Sequence, residues 1–325
     1  MIGDMRPLEK TVTVRDRRFL LRVETSAEPA DYDKYEALRE DIWGFPDDHM
    51  SSSRNMMCEN VFQEGGSLFI GAFAEAPGGG FEAGLAGFCY GFVGVRDKET
   101  GYRDPANLRF YAQYAGVRGP FQSYGLGVLL KEFQREVVLG LMGVSTIICT
   151  YDPLTGVNAN RNIRRFGMDV LEYRIATYGE YGGHLNRTDV PTDRFLMSWD
   201  LARAERPPVP DAGAVRRAPE TVRASVRRVE GRGGPVDLEV VEGADPEAEG
   251  DTLLVRVPFD FYRMLRETDV PAAEIRRIPV DWRLATRAVL LRLFERGYRV
   301  VDFLKAGPEG PANRYVLTRD LPAGR

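Results

Sequence analysis

Gln122-Ser123-Tyr124-Gly125-Leu126-Gly127 joins an aromatic, glycine-broken run at Leu108 to Val117 to the most regular amphipathic stretch of the chain. The reading of these three pieces decides the fold. Leu126, Leu129, Leu130, Phe133, Val137 and Leu141 recur at steps of three and four, while Lys131, Glu132, Gln134, Arg135 and Glu136 take the other faces. That spacing predicts a helix with one apolar stripe. The first turn of a helix has backbone N–H groups with no internal partner and carries partial positive charge. Glycines there let the backbone approach an anion without a Cβ in the way. A strand, a glycine turn and a helix in this order predict a cradle for a diphosphate.

Working outward, Phe19 to Val23 and Ser67 to Phe73 read as strands, and Asp31 to Trp43 as a helix with Tyr35, Leu38 and Ile42 on one face. Gly84 to Val95 and Leu108 to Val117 read as two more strands. Val144 to Tyr151 is a β-branched run of the kind that fills a buried strand. A helix over Asn158 to Phe166 closes at Gly167, and Val170 to Tyr178 and Arg194 to Trp199 complete a mixed sheet. The prolines between Arg203 and Gly213 remove backbone donors and break regular structure. They divide the chain into residues 1–202, a linker over 203–235, and a smaller α+β domain over 236–325. The charged stretch Arg216 to Arg232 reads as solvated linker, with Gly231 to Gly234 as a surface turn. In the last part, Leu253 to Val257, Tyr298 to Phe303 and Arg314 to Thr318 read as strands. Asp281 to Arg296 reads as a helix capped by Asp281 and ended by Gly297.

Composition narrows the function. The 325 residues carry a net charge of -4 with both signs interleaved, which argues against a nucleic-acid-binding face. No apolar run reaches bilayer length, and the first ten residues have no secretory pattern, so a cytoplasmic protein is expected. Cys58, Cys89 and Cys149 with two histidines, His49 and His184, lack metal-site spacing, and no metal is expected. No Gly-x-Ser-x-Gly elbow accompanies the histidines.

The motif Gln122-x-x-Gly125-x-Gly127 after a strand resembles the cofactor loop of the GNAT superfamily of CoA-dependent N-acyltransferases. The order of elements over about residues 10 to 201 is similar to theirs. More narrowly, the chain resembles a bacterial and archaeal GNAT group with a C-terminal extension. That likeness rests on Ile42-Trp43-Gly44-Phe45, Thr150-Tyr151-Asp152-Pro153-Leu154 with Asn158-Ala159 and Asn162, Tyr178-Gly179-Glu180, and Pro191-Thr192-Asp193-Arg194. Trp282 to Arg287 and Gly297 to Val300 extend it into the tail.

The resemblance implies a GNAT fold, an α/β arrangement with a mixed sheet, followed by the smaller C-terminal α+β domain. It implies acetyl-CoA or another acyl-CoA lying between two parallel strands. Val117 would bond the pantetheine, the amides of Gln122, Ser123, Tyr124, Gly125, Leu126, Gly127 and Val128 the diphosphate, and Asn158 or Asn162 the cofactor from the next helix. Asn158 reads equally well as that helix's N-cap.

Relatives place a tyrosine acid four residues before the glycine ending that helix, and here Ile163 stands there. Close relatives carry a histidine near Gln113 or Tyr114, and here there is none. Tyr178 and Glu180 are the substitute acid and base, and Gln113 can orient substrate or water. Tyr173 and Glu172 should point to opposite faces of their strand, and Tyr111 and Tyr114, an odd separation apart, should do the same. A small-molecule amine is expected near Trp43, Asp47, Asp48 and His49. An N-acyltransferase, possible as a homodimer, is one reading; an acyl-CoA-binding sensor or scaffold with little catalysis is the other.

Overall fold

A computed structural model describes residues 8–44, 52–62, 66–81, 84–179, 182–203, 208–307 and 310–319. Two compact units emerge. The first holds residues 1–149 with 200–202, the second 150–199 with 203–325. The proline-rich break after Arg203 lies inside the second unit, and the units part between Cys149 and Thr150.

In the first unit, β1 (Glu9–Val14), β2 (Arg17–Val23), β3 (Ser67–Ala74), β4 (Leu85–Val95), β5 (Leu108–Val117) and the part of β6 (Thr146–Tyr151) up to Cys149 lie side by side in sequence order. Each pair is antiparallel except β5 with β6, which is parallel. β1 was not legible as a strand because it is an edge strand with mostly exposed side chains. β3 is buried along its whole length, as its unbroken apolar sequence requires. Helices α1 (Asp33–Trp43) and α2 (Ser53–Phe62) contribute Tyr35, Leu38, Met56 and Met57 to a core with Phe69, Phe73, Phe88 and Tyr90. Gly44 ends α1 in the left-handed conformation, its N–H on the Glu40 carbonyl at 2.8 Å. The predicted helix after the glycine turn is α3 (Leu126–Gly140). Leu126, Leu130, Phe133 and Val137 are buried as the stripe requires, while Leu141 caps the end and is exposed. Lys131 and Gln134, expected on solvated faces, are buried too, because a second flank of α3 is covered beyond its apolar stripe.

The second unit opens with α4 (Gly156–Ala159), which passes directly into a π-helical turn over Asn160–Arg165. Strands β7 (Asp169–Arg174) and β8 (Arg194–Asp200) form an antiparallel pair, β7 ending before Tyr178 rather than at it. After α5 (Ala212–Arg217), the stretch read as solvated linker contains β9 (Val222–Gly231), paired with β10 (Gly234–Ala244) through a turn at Gly231 to Gly234. Its charges hid this hairpin: only Val222 of β9 is buried, and exposed residues lie on both of its faces. Strands β11 (Thr252–Val257), β12 (Arg299–Leu304) and β13 (Asn313–Thr318) make a sheet in the order β11-β13-β12. Helices α6 (Phe261–Glu267), α7 (Ala273–Arg276) and α8 (Ile278–Glu295) complete the unit. Helix α8 begins three residues before Asp281, so that carboxylate is not its cap; Pro279 sits in the first turn and Asp281 pairs with Arg277 at 2.9 Å.

Successive turns of α8 carry the polar core of this unit. Arg283 donates through Nη1 to Asp152 Oδ1 at 2.8 Å and through Nη2 to Oδ2, while Arg287 grips both oxygens of Asp193 at 2.8 and 2.9 Å. Asp193 also accepts the Tyr173 hydroxyl at 2.6 Å and the Ala176 N–H at 3.0 Å. Burial alone disfavours a charged Arg283, but the Asp152 carboxylate, together with Tyr173 and Asp193, more than offsets this and raises its pKa. The signatures around Asp152, Asp193 and Arg283 to Arg287 are therefore one buried constellation.

Candidate functional site

Strand β5 is bulged. Tyr90 lies opposite Tyr114 and Gly91 opposite Ala112, so Gln113 is the extra residue, exposed and without a partner in the register. Gly91 makes this possible: a Cβ there would meet the Tyr111 carbonyl oxygen at 2.3 Å and the Phe110 ring at 2.4 Å. The bulge changes parity. Phe92 faces Tyr111 and Tyr90 faces Tyr114, and because Tyr90 and Phe92 share a face, Tyr111 and Tyr114 share it as well. The expectation that they point apart fails for this reason. Phe92 and Tyr111 meet edge to face at 5.6 Å, as do Trp43 and Tyr114 at 5.3 Å. Parallel pairing of β5 with β6 is confined to Phe110 with Ile147 and Tyr111 with Ile148, and β5 continues to Val117 beyond it.

After Val117 the chain makes a 3-10 turn over Gly119–Tyr124 and reaches Gly125 at φ 70°, ψ 14°. Nothing lies within 4 Å of where a Cβ on Gly125 would sit, so this glycine is required by its left-handed backbone and not by crowding. Its carbonyl accepts the N–H groups of Val128 at 2.9 Å and Leu129 at 3.3 Å, the first bonds of α3. Gln122, Ser123 and Gly125 are exposed; Tyr124, Gly127 and Val128 are half-buried. Leu126 is fully buried and offers a ligand only its main chain. Gln122 Nε2 donates to the Val117 carbonyl at 3.1 Å, tying the turn to the end of β5. Tyr124 packs on Phe19, and Arg15 and Arg17 from the β1–β2 turn lie over the Tyr124 ring at 5.6 and 5.7 Å, with Arg17 also over Phe121 at 5.2 Å. These two guanidinium groups escaped the sequence reading; Arg15-Asp16-Arg17-Arg18 between alternating apolar residues was the available signal.

In the second unit, Asp152 makes the expected turn, its Oδ1 accepting the Leu154 N–H at 2.9 Å. Thr155 occupies the cap position of α4, so Asn158 is not the cap. Its carboxamide links Thr155 Oγ1 at 3.1 Å to Arg161 at 2.6 Å and is half-buried. Asn162 lies in the π-helical turn, 2 % exposed, and its Oδ1 has no partner among the described residues. Ile163 beside it is also buried. Tyr178 is exposed, with its hydroxyl 2.7 Å from Thr150 Oγ1 and the Arg194 guanidinium 5.3 Å from its ring centre. Tyr173 and Glu172 do differ in exposure, Tyr173 being buried. Burial raises the Tyr173 pKa and its hydroxyl is committed to Asp193, so it stays a donor in the core. Glu180, Asp47, Asp48 and His49 lie outside the described residues. Among the described residues no group of His, Cys, Asp and Glu could hold a metal ion, and no helix is long and apolar enough to cross a membrane.

No family model and no curated protein matches the sequence. Among solved structures the chain is similar to Arabidopsis thaliana NAA60 in complex with acetyl-CoA, at 16% identity and TM-score 0.41, over 56% of this chain and 98% of that one. It is also similar to the ribosomal-protein-S5-alanine acetyltransferase of Vibrio fischeri, at 9% identity and TM-score 0.43, over 60% and 99%. A Streptococcus pneumoniae acetyltransferase of the GNAT family gives 15% identity and TM-score 0.39, over 55% and 97%.

Proposed function

We propose that this chain is an acyl-CoA-dependent N-acyltransferase of the GNAT type that acylates the amine of a small molecule or amino acid in the cytoplasm. The observation that carries the reading is the exposed turn at Gly125, where a bulged strand passes into the start of α3 with Arg15 and Arg17 beside it. The fit to a diphosphate is chemical. The turn exposes main chain at a helix start, the glycine keeps Cβ atoms away, and cations lie close by. On this reading the amides from Gln122 to Gly127 hold the diphosphate, the Val128 N–H being committed to the Gly125 carbonyl at 2.9 Å, and Val117 bonds the pantetheine through its main chain. Asn158 and Asn162 are the contacts from the following helix, Asn162 only if its buried carboxamide becomes accessible.

An acyl-CoA bound there supplies an activated acyl group. The chain's own residues must then take a proton from the attacking amine and give one to the departing thiolate. Tyr178, whose hydroxyl is held by Thr150, is the proposed acid. Glu180 is the proposed base, and Gln113 at the bulge orients the acceptor or a water. The test is release of free CoA thiol from acetyl-, succinyl- and longer acyl-CoA across an amine panel. Turnover that falls with Tyr178→Phe supports the assignment.

One observation favours a second reading, an acyl-CoA-binding sensor or scaffold. The position where relatives carry their tyrosine acid is Ile163, buried and apolar. CoA binding with no thiol release from any donor and amine would establish that reading instead.

A further inference from the structure

Helix α2 sets the Glu59 carboxylate against the aromatic face of the first unit's sheet. The Tyr90 hydroxyl donates to Glu59 Oε2. Tyr90 is itself fixed, stacked on Phe69 with centroids 4.1 Å apart, and lies directly across from Tyr114 at the bulge. From Tyr90 the rings continue through Phe92 at 6.2 Å to Tyr111, with Tyr114 and Trp43 packed together alongside. Phe92, Tyr111, Tyr114 and Trp43 are all half-buried, so each keeps surface to offer a ligand.

A comparison within the same unit shows what Glu59 lacks. Glu24 is 7 % exposed and fully used: Lys34 pairs with it at 2.9 Å, the Tyr35 hydroxyl donates at 3.1 Å, and the N–H groups of Thr25 and Ser26 donate at 3.1 Å. Glu59 is half-buried, and among the described residues its carboxylate has only the phenol. No Lys or Arg pairs with it among the described residues, and its Oε1 has no protein partner among them. A carboxylate partly withdrawn from water, held in one orientation and left without a counter-charge is matched by a cation from outside. Ring faces beside it add attraction for the same charge.

We infer that this face is the acceptor site, and that it takes a protonated primary amine carried on a flat, apolar body, with Glu59 as the counter-charge and the rings of Phe92, Tyr111 and Tyr114 as its walls. The word acceptor rests on the acyltransferase reading; the ligand chemistry does not.

The probes are 2-phenylethylamine and its neutral counterpart 2-phenylethanol, titrated by calorimetry into the full chain with and without CoA. Glu59→Gln keeps the shape and an oxygen for the Tyr90 phenol but removes the charge. The amine is expected to bind at least about tenfold more tightly than the alcohol, and Glu59→Gln to erase that difference with an unchanged melting temperature. A purely structural latch between α2 and Tyr90 predicts no such loss of charge selectivity. Equal affinity for amine and alcohol, no binding of the amine, or full amine affinity in a folded Glu59→Gln protein overturns the inference. Amine binding through Glu59 with no thiol release from any acyl-CoA leaves this site standing and overturns the acyltransferase reading. Undiminished acylation of amines by Glu59→Gln does the reverse.

Discussion

Tyr111 and Tyr114 present their rings on the same face of the sheet although three residues separate them, because Gln113 bulges out of the register between them. Gly91 on the facing strand permits it by leaving room for the Tyr111 carbonyl and the Phe110 ring. Gly91→Ala is therefore expected to lower stability by about 1–3 kcal/mol, the usual cost of overpacking. Gly94→Ala on the same strand has nothing within 4 Å of the new methyl and should change stability by less than about 0.5 kcal/mol. Chemical denaturation of the two variants checks the contrast.

Arg283 and Asp152 form a buried ion pair, 1 % and 8 % exposed. Removing Arg283 leaves the buried Asp152 with only the longer contact to Arg194 at 3.5 Å and the Leu154 N–H, so Arg283→Met should cost about 3 kcal/mol. Combining it with Asp152→Asn should cost less than the sum of the two single changes. A double-mutant cycle on the full chain should give a coupling above about 1 kcal/mol.

Cys89 is buried, and that burial pushes its thiol up to about 12. At pH 8 only about one part in ten thousand is thiolate, and the thiolate is the reactive form. Cys58 is partly exposed, whereas Cys149 is buried. Titration of the native protein with an aromatic disulfide at pH 8 should consume one thiol rapidly, and denaturant should release the other two. Rapid reaction of Cys89 in the folded protein would show that β4 opens.

How much of this was legible in the sequence varied with the kind of interaction. The stripe from Leu126 to Val137, the buried run of β3 and the turn at Gly125 follow from local rules, and the structure has each where the residues put it. What local rules missed depends on partners distant in sequence. The side on which Tyr111 falls is set by Gly91 across the ladder. The roles of Asp152 and Asp193 are set by Arg283 and Arg287, more than ninety residues away. Strand β9 is charged because most of it is exposed on both faces, and what makes it a strand is its pairing with β10. Glu59 carries no signal of its own in sequence; only the Tyr90 phenol marks it.

Arg15 and Arg17 are exposed cations beside the glycine turn. The Arg15→Ala/Arg17→Ala variant should bind acetyl-CoA about 3- to 10-fold more weakly and with a shallower salt dependence, since screening acts on the exposed charges it removes. Titrations at low and high salt measure both effects. Unchanged affinity at low salt would remove these residues from the cofactor site.

The central claim is that main-chain donors exposed at Gly125 hold the diphosphate of an acyl-CoA. The direct measurement is calorimetric titration of acetyl-CoA into the full chain and into Gly125→Glu, with circular dichroism to establish that the variant is folded. The substitution puts a carboxylate where the diphosphate should sit and strains a backbone at φ 70°. The account predicts saturable binding by the native protein and at least about a thirtyfold loss in the variant. Equal affinity in a folded Gly125→Glu protein would contradict it.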